Sequence, residues 1–235
     1  MATELLRSDA DLVEGRLVER QNRFVLDVAF PDGVAGPSEE VAEVYLPETG
    51  RLTTVLVDDA TVVCEPVDDP DRRTQFTALA VDNGDVLVTV EAVRANAVLA
   101  EAVERGLAPF FDGWELVRRE PALPEGGRAD LLLQQERGDE AEAPERFVEV
   151  KAVTHSEDSI GKFPDAPTKR GRRHLRDLTA LAEEGVPASV VFVAMRPDVE
   201  VVRPFREIDP DFADALRAAA EAGVGLHALG TRFDP

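Results

Sequence analysis

One cysteine and three lysines stand among 235 residues, and each scarcity narrows what the chain can be. Cys64 has no second thiol to join, which excludes an internal disulfide framework and a zinc centre built from several cysteines. Its place in the apolar run TVVCEPV reads as a buried structural thiol. No apolar stretch approaches the roughly 20 residues that a membrane helix needs. The opening MATELLRSDADLVEG has neither the basic nor the apolar part of a secretion signal, so a cytoplasmic protein with no membrane partner is expected. Glycine-rich phosphate loops, a G-x-S-x-G elbow and a dinucleotide fingerprint are missing too, which removes the commonest nucleotide-dependent and serine-hydrolase readings. His155 and His227 lack the paired spacing of metal ligands. His174, alone on a helix, reads as a packed side chain.

What the chain has in excess is carboxylate. Against 26 Lys+Arg there are 47 Asp+Glu, a formal net charge of −21. Self-repulsion at that level destabilises a compact state in dilute buffer. Excess acid with arginine in place of lysine is the composition of a salt-adapted, haloarchaeal-type proteome. At about 1 M salt the Debye length is about 3 Å, so distant surface acids neither unfold the chain nor repel a polyanion across solvent. Nucleic acid therefore stays among the partners to consider. The hydrophobic share of 44% supports a buried core, in one large domain or two small ones.

The hydrophobic pattern changes along the chain. From Leu12 to Val67, LVEGRLVER, NRFVLDVAF, VAEVYLP, RLTTVLV and ATVVCEPV read as five short strands separated by turn residues, the pattern of a small barrel or sandwich. FTALAV and DVLVTV flank an Asn-Gly hairpin turn at Asn83-Gly84. Residues 91–106 then repeat Val93, Ala97, Ala100 and Val103 at helical spacing before a terminal glycine. WELVRRE, ADLLLQQ and RFVEVKAV are strand candidates, the last two joined by the charged loop RGDEAEAPE. TKRGRRHLRDLTALAEEG reads as a helix, ASVVFVAM as a strand covered on both faces, and DPDFADALRAAAEAG as a helix capped by Asp209, with Pro210 in its first turn. The second half is thus mixed α/β.

Chemistry concentrates between Arg128 and Arg176. Asp130 sits near the start of one strand; Glu149 and Lys151 lie on the next, and a period of two puts both on one face with Val150 pointing away. If the strands form a hairpin, three ionisable groups converge. Two carboxylates and the Val150 carbonyl make an oxygen-only site suited to Mg²⁺ or Mn²⁺, and an adjacent amine can orient or deprotonate a water. Glu-x-Lys on a strand is ordinarily a solvated pair. Here, however, all three lysines, Lys151, Lys162 and Lys169, fall within residues 151–169, and lysine offers a compact amine that arginine does not. Lys169, Arg170, Arg172, Arg173 and Arg176 form the one dense basic segment and open a helix, an arrangement suited to backbone phosphates.

The segments RFVLDV (23–28), GRAD (127–130), VEVKAVT (148–154), FPDAPTKRGRRHL (163–175) and IDPDFADAL (208–216) resemble, in order and over nearly the whole chain, the sugar fermentation stimulation protein A (SfsA) family. The resemblance implies a mixed α/β protein: an N-terminal OB-like β-barrel, assigned to residues 1–85, and a PD-(D/E)XK nuclease-like α/β domain, assigned to 86–235. It implies DNA binding, with RNA left open as a partner, and makes Asp130, Glu149 and Lys151 the catalytic set, with Glu101 as a further, helix-borne metal ligand beside Asp130 and Glu149. Two positions depart from the family. Leu46-Pro47-Glu48-Thr49-Gly50 replaces Cys-Pro-Asn-Thr-Gly, placing an anion beside the expected nucleic-acid path, and Gly127 replaces a serine. Two functions compete: a divalent-metal-dependent phosphodiesterase, and a non-catalytic DNA-binding regulator of sugar-metabolism genes. A sugar-binding role has little beyond the family name behind it.

Overall fold

The computed structural model describes residues 4–6, 10–35, 40–48, 50–124, 126–135 and 143–234. The first half is a barrel. Strands β1 (Val13–Asn22), β2 (Val25–Ala29), β3 (Val41–Tyr45), β4 (Thr61–Pro66) and β5 (Phe76–Asp82) pair in the order β3-β2-β1-β4-β5, and β3 pairs with β5 to close the ring. A sixth strand, β6 (Leu87–Thr89), adds to β5 across the Asn83-Gly84 turn. Alternation selects the inward residues: Leu26 and Val28 from β2, Val62 and Cys64 from β4, with Val44, Ala78 and Val88. Burial of Cys64 pushes its thiol up to about 12, so it is a packing residue and no nucleophile. Closure brings β1 and β2 so near that a Cβ on Gly15 would stand 2.8 Å from the Ala29 carbonyl oxygen.

RLTTVLV, expected as a strand, is a turn instead. Leu52 adopts a left-handed φ of 55°, the N–H groups of Val55 and Leu56 both donate to its carbonyl, and Leu52 and Val55 plug the barrel core. Three- and four-residue spacing of apolar side chains in a short run does not distinguish a strand from a compact turn.

The second half opens with α1 (Arg94–Glu104) and a 3-10 turn at Pro109–Phe111. A mixed sheet follows: β7 (Trp114–Arg119), β8 (Leu131–Gln135), β9 (Glu145–Val153), β12 (Ala188–Ala194) and β14 (Gly225–Gly230), ordered β14-β12-β9-β8-β7. β9, β12 and β14 are parallel, while β8 pairs antiparallel to β9 as the expected hairpin. Most of the charged loop expected between them lies outside the described residues. The strands β10 (Ser156–Glu157), β11 (Ile160–Phe163) and β13 (Val201–Pro204) form a small separate sheet. α2 (Lys169–Glu183) and α3 (Pro210–Glu221) cover one face of the main sheet and α1 the other. All seven residues of β12 are buried, as its apolar, largely β-branched sequence demands. β9 therefore divides its side chains: Val148 and Val150 pack toward α1, Phe147 and Val153 toward α2, and Glu149 and Lys151 share the α2 side by alternation.

Hydrogen bonds join the halves. The Thr89 N–H donates to the Met195 carbonyl at 2.9 Å, and the Leu52 N–H donates to Asp165 Oδ2 at 3.0 Å. The barrel runs through β6, so residue 85 falls inside the β5–β6 turn and the chain changes character between 90 and 93. Asp165 belongs to the FPDAP segment, and its carboxylate sits where a Cβ on buried Gly50 would be. Gly50→Ala should therefore force this junction apart at a cost of about 1–3 kcal/mol. Urea denaturation at fixed KCl measures it; a midpoint equal to wild type would show that the junction yields freely.

Candidate functional site

Asp130 is pinned from two sides. Its Oδ1 accepts from Asn96 Nδ2 of α1 at 2.9 Å and its Oδ2 from the Val150 N–H at 2.7 Å, which sets the carboxylate against the middle residue of the Glu-Val-Lys run. Glu149 is 3% exposed. Its Oε1 meets both Lys151 Nζ and His174 Nδ1, the latter reaching in from α2. His174 Nε2 faces Arg170 Nε at 3.3 Å. Arginine can only donate, so Nε2 accepts and Nδ1 carries the proton that points at Glu149. The order Arg170, His174, Glu149, Lys151 is one continuous polar chain.

The two carboxylates are driven in opposite directions. Burial raises Asp130 above the ordinary aspartate range, and the neighbouring Glu149 charge adds to the rise, against opposition from the Val150 N–H, Lys151 and Asn96. Burial also raises Glu149, but the hydrogen bond from His174 and the charge of Lys151 outweigh it and leave Glu149 below its usual value. Two nearby carboxyl groups pushed apart in this way are a mark of acid–base or metal chemistry.

The structure brings Asp130, Glu149 and Lys151 together and leaves out other expected members. Glu101 lies five residues past Asn96, off the site-facing side of α1, and pairs with Arg105 at 3.7 Å. Among the described residues no three His, Cys, Asp or Glu side chains cluster as a metal cage. The basic segment also divides. Arg172 is committed to Asp209 at 2.8 Å and Asp211 at 3.1 Å, where it braces the start of α3, so it is not free for a phosphate. Arg176 donates back to the Arg172 carbonyl and Arg170 serves His174. Lys169 and Arg173 remain exposed and without side-chain partners. The anion expected beside the nucleic-acid path is partly absorbed, because Glu48 Oε1 accepts the Gly50 N–H at 2.8 Å.

His174 and Asn96 are the residues that sequence reasoning missed. The signal for His174 was its i, i+4 spacing from Arg170 on the helix covering the Glu149 face. A larger cavity, about 1040 Å³, lies elsewhere, between residues 4–6 and 10–14 and the ends of β12 and β14. It includes none of Asp130, Glu149 and Lys151, and its arginines Arg94, Arg196 and Arg232 are paired with Glu91, Asp198 and Asp234.

Comparison with known proteins agrees with this architecture. Residues 18–90 match the SfsA N-terminal OB domain, and residues 93–235 match the sugar fermentation stimulation protein RE domain. A sugar fermentation stimulation protein homolog from Acetivibrio thermocellus is 40% identical over 230 residues, covering 97% of this chain and 93% of the relative. One from Halorhodospira halophila is 41% identical over 221 residues, covering 93% and 88%. These relatives are bacterial, so the haloarchaeal origin expected from composition finds no support in them. A solved structure, Pyrococcus furiosus SfsA in complex with Ca²⁺, superposes with a TM-score of 0.82 at 28% identity, covering 97% of this chain and 92% of that one. Among the described residues no helix is long and apolar enough to cross a membrane. With both halves matched in order, the chain belongs to the sugar fermentation stimulation protein (SfsA) family.

Proposed function

We propose that this protein binds nucleic acid and hydrolyses phosphodiesters with one divalent cation, Mg²⁺ or Mn²⁺, held by Asp130 and Glu149. The observation that carries this reading is the convergence of half-buried Asp130 and buried Glu149 beside Lys151, with the two carboxyl groups displaced in opposite directions. The residues fit such an ion. Asp130 and Glu149 supply hard oxygen donors, their mutual repulsion is what a cation between them relieves, and two protein carboxylates leave room for the waters that Mg²⁺ retains. A related protein has been solved with Ca²⁺, another oxygen-seeking cation. When bound, the ion supplies positive charge for the phosphodiester oxygens. Lys151 orients the attacking water and accepts its proton only after releasing its own to solvent, His174 fixes the Glu149 carboxylate, and Lys169 and Arg173 hold the backbone.

One observation favours a second reading. Glu149 already has two cationic or donor partners, Lys151 and His174, and a self-compensated cluster is compatible with a non-catalytic DNA-binding regulator. Metal binding separates the two. Calorimetric titration with Mn²⁺ should show one saturable site that the Asp130→Ala/Glu149→Ala double variant lacks; stoichiometric binding retained in that variant would place the ion elsewhere.

Arginine keeps the positive charge of Lys151 but does not readily give up a proton. Lys151→Arg should fold and bind Mn²⁺ while losing at least about 100-fold in cleavage of a mixed DNA and RNA panel. Wild-type rates would make the lysine a counter-ion only.

For His174 the side chains can be graded. His174→Ala removes the donor to buried Glu149 and should cost about 1–3 kcal/mol of stability, whereas His174→Asn, which presents an N–H near the Nδ1 position, should recover most of it. In turnover assays the Ala variant should lose kcat with little change in KM. Equal stability for the two variants would show that the ring acts by packing alone.

A further inference from the structure

In a chain with this acid excess most cations find a carboxylate, so those that do not are informative. Among the described residues the side chains of Arg23, Arg51, Arg118, Lys169, Arg173 and Arg203 make no hydrogen bond, ion pair or ring contact. Two of the six line the junction of the two halves, and two more lie just beyond it on α2. Arg23 and Arg51 line a groove of about 320 Å³ whose other wall is Ala166 and Pro167. Lys169 and Arg173 follow immediately on α2, both exposed. Arg20, also in the groove, is already occupied: it donates to the carbonyls of Asn22, Arg23 and Arg51 and so fixes the backbone that presents the two free arginines.

An exposed aromatic residue, Phe24, follows Arg23 in the chain. Phe24 is 45% exposed. Its turn is held rigidly, with the Phe24 N–H donating to Asn22 Oδ1 at 2.8 Å and the Phe24 carbonyl accepting from the Leu46 N–H at 2.8 Å. A single exposed apolar residue needs no explanation by itself. A hydrogen-bonded turn that exposes Phe24 directly after unpaired Arg23 in the chain, with Arg51 across the same groove, offers the pairing that a nucleic-acid strand requires, since phosphates take the cations and a base takes the ring face. Lys169, two residues past Pro167, precedes His174 by five residues, about 7–8 Å along the axis of α2.

We propose that this groove is a binding site for single-stranded nucleic acid, with backbone phosphates between Arg23/Arg51 and Lys169/Arg173 and one unstacked base on Phe24. A duplex keeps its bases stacked inside and offers Phe24 no free face. Ribose and deoxyribose strands share the recognised chemistry. The proposal deepens the nucleic-acid reading above and rests on it, but it uses no metal.

The test is fluorescence anisotropy in EDTA over a KCl series with a single-stranded DNA, a single-stranded RNA and a DNA duplex of the same sequence. The proteins are wild type, Arg23→Ser/Arg51→Ser and Phe24→Ala, the altered residues all being exposed. Wild type should bind both single strands more tightly than the duplex. The double variant should flatten the slope of log affinity against log salt by about 1.4, two phosphate contacts on a single strand. Phe24→Ala should weaken single-strand binding about 5- to 100-fold and leave the slope unchanged. Equal affinity for strand and duplex with Phe24→Ala behaving as wild type would overturn the proposal, and so would a double variant that matches wild type at every salt concentration. If no oligonucleotide binds while Mn²⁺ still titrates into Asp130 and Glu149, the groove fails and the metal site stands.

Discussion

A carboxylate with 4% of its side chain exposed stays charged only if other groups take over the role of water, and Glu149 is that carboxylate. Its position on β9 is dictated by the sheet: a neighbour of β8 on one side and β12 on the other, with the odd-numbered residues turned to α2. Lys151 is supplied by the same strand two residues on. His174 has to come from the covering helix, and it is held in turn by Arg170. Asp130 is fixed by the Val150 amide between the two strand residues and feels the Glu149 charge. The whole cluster therefore depends on α2 lying on one face of β9 in one rotation about its axis.

That rotation is set by two further acids. Asp209, 1% exposed, accepts the Phe212 N–H as cap of α3, the Thr168 N–H at the start of α2, and Arg172. One carboxylate thereby ties the first turns of two helices together. Just before α2, Asp165 accepts the Leu52 N–H of the barrel and fills the space that Gly50 leaves. The start of α2 is thus anchored to α3 behind and to the barrel beside it. Some of the acid excess is structural wiring, and only the remainder is a solvated surface.

This explains what the sequence could and could not reveal. Period-two alternation placed Glu149 and Lys151 on one face without any knowledge of partners, and hairpin pairing brought in Asp130. Local rules also sufficed for the Asp209 cap and for buried β12. What failed was long-range. Arg172 looked like part of a phosphate patch because its partners, Asp209 and Asp211, lie far along the chain on another helix. His174 looked merely packed because its partner sits on a strand that only the folded sheet sets beneath it. Glu101 was placed by family likeness, and the helix turns Asn96 to the site instead. The strands β10, β11, β13 and β14 carry weak alternation on short runs, and RLTTVLV has enough β-branched residues to imitate a strand while folding as a turn.

Charge and salt bear on which of these groups governs binding. With a formal net charge of −21, the protein repels a polyanion at low ionic strength beyond contact distance. Raising salt to about 1 M shortens that repulsion to about 3 Å, but it also weakens attraction by the few free cations. Long-range steering is then absent in either direction, and the proposed recognition of a nucleic acid would rest on contacts made at van der Waals range. Such conditions favour interactions that salt does not screen, an aromatic face against a base, and positions fixed beforehand by hydrogen bonds within the protein. The hydrogen-bonded turn carrying Arg23 and Phe24 and the doubly anchored start of α2 meet that requirement, and the charge of Glu149, which is buried beside Lys151 and His174, is screened by salt less than the surface acids are.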